Sequence, residues 1–243
     1  MRDPARSLAD PHCHTLASDG MVDAKDLVEG ALAAGLALIA VCDHDTMAAA
    51  EEVAKYGAER GLEVVKGIEV TTRWPAQTHV LGWFLEKPIR GGMTLRDTVR
   101  AIHDQDGLAI IPHPFLPIYF ASCQPRMLED LIEHEHVDGI EIEFTPPIPV
   151  RRRRALHSFY EAHVDRLGAR IGASDSHFGV YDVGRIVTSY EGRTKEDFKE
   201  ALLSARTEPV RRERRSVPAR LIARQQVRGL IGLPLRRLRG QLQ

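Results

Sequence analysis

The sequence contains no uninterrupted apolar run close to the roughly 20 residues that a membrane-spanning helix needs. Its longest apolar run, residues 31–42, is interrupted by Gly35 and followed by Asp43. The N-terminal residues also lack the apolar segment of a secretion signal. Together these absences predict a protein located in the cytoplasm.

Cysteine is scarce as well. The three that are present, Cys13, Cys42 and Cys123, are an odd number and lie far apart in the chain. This usage does not form a disulfide framework. Cys13 and Cys42 fall inside predicted strands, where a buried free thiol behaves as a small apolar side chain. We therefore assign no catalytic role to the cysteines.

The contents of hydrophobic and charged residues are ordinary, at 43% and 28%, and 243 residues suffice for one globular catalytic domain. The net charge of −1 hides an asymmetry. Residues 211–243 carry ten arginines and a single acid, Glu213, whereas the residues before them have a net charge of about −10. We predict a catalytic domain over residues 1–210 and a basic amphipathic tail over residues 211–243.

Between residues 8 and 205, short β-branched apolar runs alternate with longer segments of helical periodicity. This alternation predicts an α/β fold with a parallel sheet. The predicted strands cover residues 8–13, 38–42, 64–70, 80–85, 108–111, 139–144, 171–173 and 185–189. The predicted helices cover residues 24–34, 47–60, 95–104, 125–133, 150–167 and 195–204. We expect Asp45 and Thr46 to cap the second helix.

Histidines and carboxylates stand at or just beyond the ends of these strands, where a parallel barrel gathers its active-site residues. Nine side chains share this position: His12, His14, Asp19, His44, Glu69, His79, His113, Asp175 and His177. Side chains two residues apart on a strand point to the same side, so His12 and His14 can bind one metal ion. The same holds for Asp175 and His177. One such pair arises by chance, but two pairs among so many polar strand ends indicate a shared centre.

Burying this many polar side chains without counterions would cost several kcal/mol, and metal ions remove that cost. With about three or four ligands per ion, nine ligands suffice for two or three divalent cations, one bridged by a carboxylate. Mixed imidazole and carboxylate ligands favour Mn, Zn or Fe over Mg or Ca.

The runs DPHCHTLASDG, AVCDHDT, GIEVTT, HVLGWF, HP and SDSH, in this order, resemble the signature of the PHP superfamily, named for its polymerase and histidinol phosphatase members. The resemblance covers residues 8–190 and implies a distorted seven-stranded (β/α)7 TIM-like barrel with a trinuclear metal site. The implied ligands of the first metal are His12, His14, Glu69 and Asp175. Glu69 would bridge to a second metal bound by His79 and His113, and the third would be bound by Asp19, His44 and His177.

Such a centre suits the hydrolysis of phosphate esters, because clustered cations neutralise the phosphate and lower the pKa of a bound water. We expect a metal-activated hydroxide to attack at a centre shaped by Glu69 and Asp175. His177 or a neighbouring metal-bound water would protonate the leaving group. The resemblance implies a phosphatase or an exonuclease-like enzyme acting on a nucleotide, a nucleotide 5′ end or another small phosphorylated metabolite.

Cations near the strand ends are candidate phosphate contacts. Arg185 on the last predicted strand could form a bidentate pair with the substrate, and Arg73 and Lys66 are weaker candidates. For all three, a solvated surface cation is the competing interpretation. Asp43, beside His44, is a candidate hydrogen-bond partner for a metal-bound imidazole.

In the tail, Arg220, Arg224 and Arg228 recur every four residues beside apolar residues, which predicts a basic amphipathic helix interrupted near Pro234. The tail could dock on the acidic body of its own chain or bind an anionic membrane surface. It lacks the interleaved aromatic residues that stack on nucleic acid, so we expect nucleic acid only as a substrate. The alternative to an enzyme is a non-catalytic module whose metals stabilise the fold and whose tail binds an anionic partner.

Overall fold

The computed structural model describes residues 6–117, 121–212 and 216–238, with the side chains of 236–238 left aside. Within these residues the chain forms the strands β1 (Arg6–Cys13), β2 (Leu38–Val41), β3 (Glu63–Thr71), β4 (His79–Trp83), β5 (Leu108–Ile111), β6 (Gly139–Phe144), β7 (Ala169–Ala173), β8 (Ile186–Glu191) and β9 (Glu208–Arg211). The helices are α1 (Ala24–Ala33), α2 (Ala50–Arg60), α3 (Leu95–His103), α4 (Pro125–His134), α5 (Val150–Ala162), α6 (Val164–Leu167), α7 (Lys195–Leu203), α8 (Ala219–Val227) and α9 (Leu233–Leu238).

The nine strands of the described residues form one sheet in the order β7-β6-β5-β4-β3-β2-β1-β8-β9. The pairs β1–β2, β2–β3, β5–β6 and β6–β7 are parallel, as the sequence predicts. By contrast, β4 is antiparallel to β3 and β5, and β8 is antiparallel to β1 and β9. The α/β class is therefore confirmed, but the expectations of seven strands and of a parallel sheet are wrong.

The reversed direction of β4 follows from the length of the connection before it. Only residues 72–78 join β3 to β4, and this is too short for the crossover that a parallel pair requires. Thr71, the last residue of β3, pairs with His79, the first residue of β4. The start of β4 consequently lies at the same edge of the sheet as the end of β3.

Side-chain hydroxyls connect β7 to β8 and nearly close the sheet into a barrel. The Thr188 hydroxyl donates to the Gly172 carbonyl at 2.8 Å and accepts from the Gly172 N–H at 3.0 Å. The Ser174 hydroxyl forms the corresponding two bonds with the backbone of Ile186, at 3.0 and 3.1 Å. A Cβ atom at Gly172 would lie 2.5 Å from the carbonyl oxygen of Val187, so glycine permits this approach. Closure leaves one end of the barrel, where most of the parallel strands end, available for a site.

Buried apolar clusters attach the helices to the sheet. Leu27 of α1 and Val53 of α2 belong to a cluster with residues of β2 and β3. Helices α3, α4 and α5 contribute to a second cluster with β3 to β6. A third cluster contains Trp83, Tyr190 and Phe198. The ring centroid of Phe198 lies 5.0 Å from that of Tyr190 and 6.0 Å from that of Trp83. Each fully buried side chain of this size contributes roughly 1.5–3 kcal/mol, so these clusters hold the strand ends in fixed positions.

Two helices differ from the prediction by more than one residue. Helix α2 begins at Ala50, three residues later than expected, and Ala49 precedes it without a side-chain cap. Asp45 instead accepts a hydrogen bond from the Thr71 N–H at 2.7 Å. The predicted cap is therefore wrong, because the Asp45 carboxylate ties the loop after β2 to the end of β3. The helix predicted over residues 150–167 is divided into α5 and α6 at His163.

All three cysteines are buried free thiols. Burial raises the pKa of Cys42 and of Cys123 to about 12. The thiolate is the nucleophilic form, so thiols that remain protonated at neutral pH are unreactive. This environment agrees with the absence of a catalytic role for these residues.

The described part of the tail consists of α8, a π-helical turn (Arg228–Gly232) and α9. The expected break near Pro234 is wrong, because the described backbone is helical without a gap from Ala219 to Leu238, with a π-helical turn directly before the segment that contains Pro234. Residues 213–215 and 239–243 of the predicted tail lie outside the described residues. Among the described helices, none is long and apolar enough to cross a membrane. The domain boundary at residue 210, which falls within β9, stays a prediction.

Candidate metal centre

The nine predicted ligands lie together at the end of the barrel where β1, β2 and β3 finish. His12 is the last residue but one of β1, and His14 directly follows the strand. Both side chains are completely buried. The loop after them turns back so tightly at Gly20 that a Cβ atom there would lie 2.6 Å from the His14 carbonyl. This turn brings Asp19 beside the imidazole of His14, with 3.9 Å between Oδ1 and Nδ1.

Glu69, near the end of β3, is the centre of the group. Its Oε2 atom lies 3.2 Å from Nε2 of His14 and 3.3 Å from both Nε2 of His12 and Nδ1 of His44. Its Oε1 atom lies 2.7 Å from Nδ1 of His79 and 3.1 Å from Nε2 of His113. One carboxylate thus contacts five imidazoles with both of its oxygens, which is the geometry expected of a bridging ligand.

Two aspartates flank this central carboxylate. Asp175 Oδ1 lies 3.2 Å from Nε2 of His14 and 3.4 Å from Nε2 of His12. Asp19 Oδ1 lies 3.2 Å from Nε2 of His177 and 3.7 Å from Nε2 of His44. Asp175 has a φ of 51°, and left-handed backbone at a residue other than glycine is a strain that folds retain mostly at functional sites.

The imidazoles and carboxylates perturb one another's protonation. Burial raises the pKa of Glu69, but the surrounding imidazoles outweigh it and hold that pKa well below its ordinary range. The same balance lowers the pKa of Asp19 and of Asp175. For His44, burial dominates and lowers the pKa to about 3. For His12, His14, His113 and His177, burial lowers the pKa but the carboxylates outweigh it and raise it. The ionised carboxylates and the neutral His44 are thus in the states that bind metal ions, whereas a cation would displace protons from the other rings.

The buried imidazole nitrogens that lack a hydrogen bond also fit a metal cluster. Among the described residues, the Nδ1 atoms of His14, His44, His79 and His113 are buried without a hydrogen bond. The contacts of His44 and His79 with Glu69 are short but lack hydrogen-bonding geometry. Such orphaned ring nitrogens would cost free energy in a metal-free protein, and cations would satisfy part of this set.

At the strand ends, three sets of possible ligand atoms each lie within 4.8 Å of one another: His12, His14 and Asp175; His44, Glu69 and His79; and His14, Asp19, His44 and His177. They contain eight of the nine predicted ligands, and the ninth, His113, contacts Glu69 directly. His14 and His44 each belong to two sets, so the division among individual metals implied by the family resemblance stays a proposal. The clusters show that side chains able to hold metal ions lie together at this end of the barrel.

Glu141 was missed by the sequence analysis. It lies on β6, is completely buried, and accepts hydrogen bonds from Nδ1 of His12 at 2.8 Å and from the His113 N–H at 2.7 Å. Holding the Nδ1 proton of His12 leaves Nε2 of that ring facing Glu69 and Asp175. The available signal was the presence of two acids, Glu141 and Glu143, in the strand GIEIEF, because acids are rarely buried without a partner, but it does not tell which of the two faces the centre.

Asp43 acts on the loop rather than on an imidazole. Its carboxylate accepts from the Thr15 N–H at 2.8 Å, the Thr15 hydroxyl at 2.6 Å and the Ser18 hydroxyl at 2.5 Å. These bonds fix residues 15–18, which carry Asp19 towards the centre. The hypothesis that Asp43 orients a metal-bound imidazole is replaced by this role in positioning the loop.

The predicted phosphate contacts fall in different places. Lys66 pairs with Glu86 at 2.6 Å on the surface, so the interpretation as a solvated cation applies to it. Arg73 lines a cavity of about 590 Å³ together with Arg90 and Asp45, which adjoins the ligand His44. Arg185 is half-buried and immediately precedes β8. Its contact with a substrate stays a proposal.

The fold and the ligand cluster define the class: a barrel-like α/β protein with a histidine and carboxylate centre at the strand ends. The chain belongs to the PHP domain family, whose sequence model matches residues 10–207. The resemblance inferred from the motifs is thereby confirmed.

Several known proteins are similar in sequence to this chain over part of their length. An uncharacterized protein of Methanocaldococcus jannaschii is 32% identical in an alignment of 145 residues that covers 55% of this chain and 80% of that protein. A 5′-3′ exoribonuclease of Haemophilus influenzae is 33% identical over 102 residues, covering 42% of this chain and 37% of the enzyme. A 3′,5′-nucleoside bisphosphate phosphatase of Chromobacterium violaceum is 35% identical over 74 residues, covering 30% of this chain and 26% of the enzyme. The chain therefore aligns with well under half of either named enzyme.

Among solved structures, a two-domain protein of Bacteroides vulgatus containing a predicted PHP-like metal-dependent phosphoesterase superposes with a TM-score of 0.72. The superposition covers 93% of this chain and 70% of that protein at 20% sequence identity. At this identity the likeness concerns the fold alone.

Proposed function

We propose that this protein is a metal-dependent phosphohydrolase that binds two or three divalent cations, Mn, Zn or Fe, through the nine strand-end side chains. The observation that carries the proposal is the position of Glu69, whose two carboxylate oxygens contact imidazoles from four separate chain segments. A bridging carboxylate of this kind is needed where cations are to act together on one phosphate. The named relatives, an exoribonuclease and a bisphosphate phosphatase, support phosphoester chemistry.

Bound cations would supply neutralisation of the phosphate charge and a water acidic enough to ionise near neutral pH. The chain's own residues determine where the substrate enters. The most accessible side chains of the centre are Asp175, His79 and His177, with 17%, 14% and 11% of their surfaces exposed. The leaving oxygen of the ester would face this side, so His177 is the candidate proton donor for it.

We propose a nucleotide, a nucleotide 5′ end or another small phosphorylated metabolite as the substrate, and Arg185 as a contact to its phosphate. A cytoplasmic location and a boundary between the catalytic domain and the basic tail near residue 210 complete the proposal. The bidentate fork of an arginine suits phosphate better than a lysine does, so Arg185→Lys should raise KM more than it lowers kcat.

The test is a substrate panel with protein loaded with Mn²⁺ or Zn²⁺. The panel contains nucleoside 3′,5′-bisphosphates, short 5′-phosphorylated RNA, histidinol phosphate and phosphotyrosine peptides. Asp175→Asn and His44→Ala should each abolish whichever activity appears, because each removes a candidate metal ligand. Lys66→Met is the control, since Lys66 pairs with Glu86 on the surface. Full activity in both ligand variants would contradict the mechanism.

The competing function is a non-catalytic module that binds an anionic partner through its tail. The exposed arginines Arg220 and Arg224 favour this alternative. Metal-loaded protein that bound anionic vesicles but turned over no member of the panel would support it. The presence of all nine candidate ligands argues for the enzyme, because a module without turnover has no need of an open cluster.

A further inference from the structure

The tail contacts the loop that carries Asp19. The side-chain amide of Gln225 in α8 donates a hydrogen bond to Oδ2 of Asp19 at 3.0 Å. Nη2 of Arg228, one helical turn further on, donates to the carbonyl oxygens of Leu16 at 2.9 Å and Ser18 at 2.8 Å. Three hydrogen bonds therefore connect the C-terminal segment to one short loop of the candidate metal centre.

The two oxygens of Asp19 have separate partners. Oδ1 points into the centre, 3.2 Å from Nε2 of His177 and 3.7 Å from Nε2 of His44. Oδ2 points outward and accepts the hydrogen bond from Gln225. A carboxylate whose outer oxygen is held by an amide donor keeps its inner oxygen in a fixed direction. Partners of this kind hold metal ligands in place, and their loss typically weakens metal binding roughly 10- to 100-fold.

The backbone of the tail is adapted to this contact. A Cβ atom at Gly229 would lie 3.1 Å from Oδ2 of Asp19, a tight contact that would push against the carboxylate, whereas glycine leaves room for it. The π-helical turn begins at the neighbouring residue, Arg228. Single π-helical turns inside helices are frequent at functional sites, because they change the direction of side chains within one turn.

Apolar burial does not account for this position of the tail. Several of its large apolar side chains face away from the body: Val227 is 59% exposed, Leu230 73% and Ile231 56%. The inward side instead presents Gln225, Arg228 and Gly229, and Leu233 is its one buried apolar residue among those described. An amphipathic helix that docked only to cover its apolar side would have the opposite orientation.

We propose that Gln225 is a positioning residue for Asp19, and that the segment from α8 to the π-helical turn is an integral part of the metal centre. This inference rests on the proposed function, since it takes Asp19 as a metal ligand. Gln225 fixes the outer oxygen of Asp19, Arg228 fixes the loop through two carbonyls, and Gly229 permits their approach. The segment thereby completes the binding site of the cation that lies among Asp19, His44 and His177.

The test measures metal binding and loop protection, independently of turnover. Metal-free full-length protein is titrated with Mn²⁺ and with Zn²⁺, and amide hydrogen exchange is followed over residues 15–20. Gln225→Leu should weaken one binding step by roughly 10-fold or more and leave the others unchanged. Arg228→Gln should increase exchange in the loop. Arg224→Gln is the matched control, because Arg224 lies on the exposed side of the same helix.

The outcomes separate this inference from the proposed function. Binding and exchange in the Gln225 and Arg228 variants equal to those of Arg224→Gln would overturn the inference and leave the phosphohydrolase standing. Weakened binding in a protein that hydrolyses no phosphoester would support the inference and contradict the enzyme. A wild-type protein that bound no divalent cation would overturn both.

Discussion

Two glutamates of this protein are surrounded by basic side chains, and the two regions differ in what those side chains can do. Glu69 in the strand-end centre contacts five imidazoles. Glu143 on β6 is held by guanidinium groups, at 2.8 Å from Arg153 and 2.6 Å from Arg211. At both sites burial raises the carboxyl pKa, but the basic neighbours outweigh it and the pKa is lowered.

A lowered carboxyl pKa therefore does not by itself identify a functional site. Arginine keeps its proton at any physiological pH and offers only donors, so the cluster of Glu143, Arg153 and Arg211 is complete as it stands. Imidazole can lose its proton and bind a metal, and several rings around Glu69 keep a buried nitrogen without a hydrogen bond. The orphaned ring nitrogens, rather than the carboxyl pKa, distinguish the metal centre from the structural ion pairs.

The largest effect is expected from Glu69→Gln. The amide preserves the size of the side chain but removes the negative charge that would bridge the proposed cations, which is worth several kcal/mol, or roughly 10²- to 10³-fold in rate. Metal content should fall by at least one ion per chain, measured by elemental analysis after gel filtration. Unchanged metal content and turnover in this variant would remove the distinction between the two glutamates.

A smaller effect is expected from Glu141→Gln. The amide can still accept one hydrogen bond, but it holds the Nδ1 proton of His12 less strongly than a carboxylate does. We expect roughly 10- to 100-fold weaker metal binding, measured by competition with a chelator. An affinity equal to that of the wild type would show that the packing around His12 suffices to orient its ring.

The smallest effect is expected from Glu143→Gln, and it should concern stability alone. Loss of the charged hydrogen bonds to Arg153 and Arg211 should cost about 1–2 kcal/mol in urea unfolding at pH 7, with metal binding and turnover unchanged. Because the folded-state pKa of Glu143 is lowered, its stabilisation is present above the ordinary value of 4.5 and is lost as the pH falls below it. The difference between wild type and variant should therefore shrink at pH 4. A loss of activity at pH 7 would contradict a purely structural role.

The sequence predicted the strands well, because buried β-branched runs bounded by glycines and polar residues are a local signal. All eight predicted strands are present within a few residues, and only β9 was missed. The direction of β4 was not predicted. His79 directly precedes the strand predicted over residues 80–85, so a parallel strand would have placed it at the opposite edge of the sheet, whereas it is the first residue of a reversed strand. It reaches the centre because the short connection after β3 reverses the chain at the same edge.

The remaining parts of the centre depend on contacts between distant segments, which a local pattern does not encode. Glu141 and Glu143 stand two residues apart on β6, and nothing in that spacing indicates that only Glu141 reaches His12. The tail was predicted to dock on the acidic body of its own chain or to bind an anionic membrane surface, and neither alternative indicated a contact of Gln225 with Asp19. A single polar residue in an amphipathic helix gives no sign of such a partner.

The way the ligands are distributed along the chain affects how the centre assembles. Glu69 and His79 lie on the adjacent antiparallel strands β3 and β4. The two side chains can therefore come together once this short stretch of the chain has folded. Asp175 and His12 meet only at the seam where the residues after β7 pair with the end of β1, and there the Ser176 N–H donates to the His12 carbonyl at 3.0 Å. Loop closure over nearly the whole domain precedes that contact. Cations bound across the seam would therefore connect the first and last parts of the barrel. Metal binding would then stabilise the closed barrel whose strand ends form the centre.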